Sequence, residues 1–72
     1  MHCCRFEKNN RYYELRLQRN LFNEWQLTRI YGGIGRKNAH MLHEIYMDLK
    51  EAQKRINVLS IYRVEKRGYD MI

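Results

Sequence analysis

Between Trp25 and Arg36 an alternation of side-chain types runs into three glycines within four positions, and this junction limits the folds open to the chain more than any other stretch. Trp25, Leu27, Arg29 and Tyr31 fall on one face of a strand and Gln26, Thr28 and Ile30 on the other, as a period of two requires. Gly32, Gly33 and Gly35 then allow the backbone to reach positive φ or to pass close to another surface. That surface is a ligand, a neighbouring strand or a partner backbone.

The segments on either side extend the same reading. His2 to Lys8 is compatible with a short first strand, Asn9-Asn10 is a turn signal, and Arg11 to Gln18 is a strand with Tyr13, Leu15 and Leu17 on its apolar face. Asn20 to Asn23 reads as the connection of a hairpin to the Trp25 strand, with Leu21 and Phe22 expected to fold back onto the sheet. After the polar Lys37-Asn38, Ala39 to Tyr46 is compatible with a fourth strand. Asp48 and Glu51 have the spacing of a capping box, which predicts a helix from about Leu49. Along it Leu49, Ala52, Ile56 and Leu59 form one stripe able to cover a sheet. Gly68 suits the position after the helix end, behind Lys66 and Arg67, whose charges complement the negative terminus. The stripe loses its order beyond Leu59, where Val58, Ile61 and Tyr62 point to other sides. Either the chain's own Tyr69, Met71 and Ile72 fold back over them, or a second protein or second copy does.

Seventy-two residues suffice for one small domain spanning 1–72, with only a modest fraction of its surface buried. Fourteen Lys and Arg against eight Asp and Glu give a formal charge of +6. Arg5 to Lys37 holds eight basic and three acidic residues, whereas Asp48 to Ile72 holds six and four, so the first half is the expected footprint for a polyanion. Cys3 and Cys4 are adjacent and would face opposite sides of a strand, so no disulfide framework follows. No apolar run approaches the ~18 residues of a membrane span, and the first residues lack a signal-peptide core. Cytoplasmic residence without membrane association is the expectation.

Catalytic chemistry finds little support. His40 and His43 diverge if they lie on a strand, and adding His2, Cys3 and Cys4 does not produce the paired spacing of a structural zinc site. No serine sits in a nucleophile elbow, and the glycine run lacks the spacing of a phosphate loop. The expectation is a non-enzyme with no metal and no cofactor. Binding has a physical basis, because Arg36 and Lys37 follow the glycines and their cations can meet phosphate oxygens, while Tyr31 offers a ring for stacking. The same residues have structural readings: Tyr31 as a sheet aromatic, Arg29 paired with a carboxylate on the next strand, and Arg36 and Lys37 solvating a loop.

Trp25-x-Leu27-x-Arg29-x-Tyr31-Gly32-Gly33-Ile34-Gly35 resembles the signature of the WGR domain, named for its Trp-Gly-Arg triplet. Arg11-Tyr12-Tyr13-Glu14-Leu15 and Asn20-Leu21-Phe22 are similar to the Arg-aromatic-Tyr strand and Leu-Phe turn of bacterial members. Glu51-Ala52 and Lys66-Arg67-Gly68-Tyr69 are similar to the start of their helix and their basic Gly-Tyr ending. Tyr31 stands where the family has Trp, and Gly33 where it has Arg. The resemblance implies a small antiparallel sheet packed against one long helix. It also implies recognition of DNA ends, as in the poly(ADP-ribose) polymerases, where the motif Trp packs at the terminus and the Arg contributes to phosphate and interdomain contacts. Here the aromatic role passes to Tyr31, and a phosphate contact would come from Arg36, Lys37 or another cation.

The expected fold is therefore α+β, a single antiparallel sheet of four or five strands with one long C-terminal helix on one face. The expected function is a nucleic-acid-binding module, DNA rather than RNA, acting at ends or exposed termini. Arg29, Tyr31, Gly32, Gly35, Arg36 and Lys37 are its candidate site. The alternative is a protein-interaction or self-association module that uses the sheet edge and the apolar second half of the helix, with Val58, Ile61 and Tyr62 as contacts.

Overall fold

The structure, a computed structural model, describes residues 2–72, and the side chain of His2 lies outside that description, together with any place it would have in a ligand set. Five strands, β1 (His2–Lys8), β2 (Arg11–Arg19), β3 (Trp25–Gly33), β4 (Ala39–Tyr46) and β5 (Asp70–Met71), form one antiparallel sheet in the order β4-β3-β2-β1-β5. The helix α1 (Leu49–Ile61) continues without a break into a π turn, Tyr62–Lys66. The α+β expectation of an antiparallel sheet and one C-terminal helix agrees with this architecture.

Local chemistry accounts for each boundary. Asn9 takes φ +53 in the two-residue turn between β1 and β2, a conformation asparagine tolerates. Asp48 caps α1 by accepting a bond from the Lys50 backbone N–H at 3.1 Å, so the cap reaches Lys50 rather than Glu51. At the far end Arg67 N donates to Tyr62 O and Tyr69 N donates to Arg63 O at 2.8 Å, while Gly68 takes φ +71. This closure reaches one residue further back than an α-helical one, as the wider π turn requires. Lys8 Nζ donates to the Arg67 carbonyl at 2.7 Å and so serves an otherwise orphaned acceptor.

The register makes Phe6, Tyr13, Leu15, Leu17 and Leu27 neighbours on one side of the sheet, and they share a buried cluster with Ala52, Ile56 and Leu59 of α1. Three residues of the predicted helical stripe, Ala52, Ile56 and Leu59, are thus the ones that α1 buries, while Leu49 is only partly buried, and the Arg55–Glu44 ion pair at 3.3 Å joins α1 to β4. On the opposite side Glu14 is buried between Arg5 at 3.1 Å and Arg16 at 2.5 Å. Hydrogen bonds donated to Glu7 and Glu14 hold the Arg5 guanidinium above its ordinary pKa, and the bond donated to Glu14 does so for Arg16.

Two expectations need correction. Leu21 and Phe22 do not fold back onto the sheet, since they are 100% and 81% exposed at the β2–β3 tip. The reason is the turn itself: Asn20 Oδ1 accepts from the Phe22 and Glu24 backbone N–H groups, and Asn23 takes φ +64, so the loop closes on its own polar groups. Nor does the C-terminus cover the second half of the helix. Tyr69 enters the core, but Met71 pairs with Phe6 at the β1 edge and Ile72 N donates to Arg5 O, which leaves Val58, Ile61 and Tyr62 exposed.

Candidate nucleic-acid interface

The register places Phe6, Tyr13, Tyr31 and His40 side by side across β1, β2, β3 and β4. Their rings form a continuous row, with centroid separations of 6.2, 6.1 and 5.2 Å from one neighbour to the next. Arg63 of the π turn lays its guanidinium over this row, 3.8 Å from the Tyr13 ring centroid, 5.9 Å from Tyr31 and 5.5 Å from Tyr69. Stacking of this kind attracts the cation to the negative ring faces and leaves its in-plane N–H donors to point elsewhere.

The glycine run borders that row. A Cβ on Gly32 would stand 3.3 Å from Asn38 O and 3.4 Å from Ala39 Cα, so the absence of a side chain lets the start of β4 come in closely. A Cβ on Gly33 would meet Arg36 Cδ at 2.8 Å, which shows that the Arg36 side chain folds back over Gly33. The turn that brings it there is closed by Arg36 N donating to Gly33 O, with Gly35 at φ +78, and Ile34 N donates to Asn10 O at 2.6 Å to tie the loop to the β1–β2 turn.

Together these elements surround a cleft of about 640 Å³ lined by Asn10, Arg11, Tyr12, Tyr31, Gly32, Gly33, Arg36, Asn38, His40, Arg63, Arg67 and Tyr69. A second hollow of about 400 Å³ adjoins it and shares Asn10, Arg11, Arg67 and Tyr69 while adding Lys8. No Asp or Glu lines either, and among the described residues Arg11, Arg36, Arg63 and Arg67 make no ion pair. The ion-paired carboxylates are Glu7, Glu14 and Glu44, all paired to arginines elsewhere. Four uncompensated cations around aromatic rings attract an anion that also presents a flat apolar surface.

Of the candidate residues, Tyr31, Gly32 and Arg36 line the cleft. Gly35 turns the loop beside it, and Lys37 is exposed without lining it. Arg29 lies apart, half-buried, with Nη2 3.2 Å from Glu44 Oε2, which is the carboxylate pairing anticipated as its structural role. Burial pushes the Glu44 carboxyl up, but the Tyr46 hydroxyl, Arg55 and Arg29 outweigh it and hold the group below the ordinary carboxylate value. The unanticipated members are Arg11, His40, Arg63, Arg67 and Tyr69. Their residue types were legible, but their convergence depends on the sheet register and the chain reversal at Gly68.

His40 and His43 point to opposite sides of β4, where His40 stacks on Tyr31 and His43 contacts Thr28 and Gln26. Among the described residues no three of His, Cys, Asp and Glu are placed to hold a metal ion, and no helix is long and apolar enough to cross a membrane. No curated protein and no solved structure gives a match to the chain. A family model does match, that of the WGR domain, and it spans residues 2–71, the stretch that builds the whole sheet, the helix and the cleft. The chain therefore belongs to the WGR domain family.

Proposed function

We propose that this protein is a non-enzymatic, cytoplasmic nucleic-acid-binding module, its helix laid across one side of the sheet and its glycine-end cleft receiving an exposed strand terminus, DNA in preference to RNA. The observation that carries this reading is the set of four arginines without carboxylate partners around Tyr31 and Tyr69. Membership of a family associated in general with nucleic-acid binding supports it. Arg36 takes the part of the motif arginine that Gly33 lacks, because the space beside the Gly33 Cα is the space its side chain fills. Tyr31, held between Tyr13 and His40, supplies the ring of the row that adjoins the glycines. Phosphate contacts of this type give affinity without sequence choice, and the aromatic face favours a place where a base or sugar is uncovered.

The test is a titration of blunt, 5′-phosphorylated and closed-hairpin DNA duplexes, with a matching RNA duplex, at two salt concentrations. Four phosphate contacts predict a loss of roughly 100-fold in affinity between about 50 and about 200 mM salt. Open and phosphorylated ends are expected to bind more tightly than closed hairpins. Equal affinity for closed hairpins would refute end recognition, and absence of salt-dependent binding would refute the reading itself.

A further inference from the structure

The two edges of the sheet are finished differently. Beyond β1, the two-residue β5 and the Ile72 N–H to Arg5 carbonyl bond occupy part of the edge. On the other side β4 presents eight residues that pair with β3 along one side only. A free edge is a row of unpaired N–H and C=O groups, which chains usually blunt with lysine, proline, a bulge or a very short strand. β4 uses none of these: it contains no Lys, Arg or Pro, and it pairs residue for residue with β3 from Ala39 to Tyr46. Met41 and Ile45 are 56% and 48% exposed on the side of the sheet away from α1.

We infer that the β4 edge pairs antiparallel with β4 of a second copy of this chain, joining two five-stranded sheets into one. Charge favours this edge as the place where two copies meet. Lys37 and Lys50 bracket twelve residues that contain no Lys or Arg and two acids, Glu44 and Asp48, in a chain whose formal charge is +6. Copies that meet elsewhere bring cations together, whereas β4 has no basic residue of its own and its one acid, Glu44, is already paired with Arg29 and Arg55. Antiparallel pairing is also the arrangement a two-fold axis generates. With the axis at His43, Met41 of each copy faces Ile45 of the other, covering four apolar side chains beside Ile30. The clefts then lie toward opposite ends of the joined sheet, so the pairing does not depend on nucleic acid.

Analytical ultracentrifugation of the whole chain without nucleic acid, from about 1 µM to about 1 mM, tests this directly. The parent should pass from monomer to dimer, and amide exchange in β4 should slow as concentration rises. Met41→Glu with Ile45→Glu, and Met41→Lys with Ile45→Lys, should each raise the dimer dissociation constant at least tenfold. The two signs of charge separate edge disruption from a change in net charge, and the parent's concentration-dependent exchange stands even if a variant fails to fold. Val58→Glu with Ile61→Glu should leave the dimer intact. A parent that stays monomeric, a dimer that survives both strand variants, or one dissociated by the helix variant alone would overturn the inference.

Discussion

Arg29 and Arg55 converge on Glu44 where β3, β4 and α1 meet, whereas Arg11, Arg36, Arg63 and Arg67 line a cleft with no carboxylate among them. The side chain is the same in both regions, but its work differs. Around Glu44 one carboxylate is shared by two arginines and offsets part of their charge within the fold, Tyr46 donates to the same carboxylate at 2.6 Å, and the group is only partly open to water. In the cleft, stacking on rings and exposure to solvent hold the cations, so their attraction for an anion stays available. A count of basic residues therefore overstates the usable charge, and pairing geometry decides which arginines can bind.

Removing the shared carboxylate has the largest expected effect. Glu44→Ala leaves Arg29, whose Nε is already buried without a partner, facing α1 uncompensated. The expected loss is about 2 kcal/mol, less than for a fully buried pair because the Arg29 and Glu44 side chains stay 22% and 23% exposed. Urea denaturation measures it, and DNA affinity of the folded fraction should stay within about twofold. The carboxyl is held below its ordinary value, so its contribution is present above that value of 4.5 and disappears as pH falls through the depressed one. Melting temperature should accordingly fall below about pH 4.5 in the parent, and Glu44→Gln should flatten that part of the profile.

Removing cleft cations should give the reverse pattern. Arg11→Ala with Arg67→Ala should weaken duplex binding at least tenfold and reduce the salt slope by about 2, one for each phosphate left without its arginine. Both side chains are exposed, so stability should change by about 0.5 kcal/mol or less at each. A large stability loss with unchanged affinity would show that the two regions do not differ in the way described.

A smaller and more specific effect concerns Gly33. It takes no positive φ, and the atoms an added Cβ would meet belong to the flexible Arg36 side chain, so arginine there exchanges one cation for another. Gly33→Arg alone should change affinity by less than about threefold, Arg36→Ala should weaken it, and the two together should restore the parent value. Failure of the rescue in a stable double variant would remove Arg36 from the role of motif arginine. The smallest effect belongs to the distant hairpin tip: Leu21→Ser with Phe22→Ser should alter both stability and DNA affinity by about 0.5 kcal/mol or less.

Much of the fold was legible because its signals are local. Period-two alternation in Arg11 to Gln18 and Trp25 to Tyr31, the Asn9-Asn10 turn, the Asp48 cap and Gly68 each act within a few residues and each took effect where they stood. Leu21 and Phe22 were misread for an equally local reason, since Asn20 closes the loop on backbone donors and leaves the apolar side chains no direction but outward. Of the site, Tyr31, Gly32 and Arg36 were legible because they are contiguous with the glycine run.

The strands, the helix stripe and the loop that carries Arg36 follow from neighbours along the chain, and the surplus of positive charge follows from composition alone. Which cations are free depends instead on packing between distant segments. Arg29 alternates with Tyr31 on the same face of the same strand, yet Leu42 and Glu44 of β4 and Arg55 of α1 surround the one while His40 and Arg63 flank the other. Arg63 and Arg67 lie 27 and 31 positions from Arg36, and no local pattern ties them to it. The π turn and the reversal at Gly68 bring them to the glycine end of the sheet, because Tyr69 must return to the core beneath them.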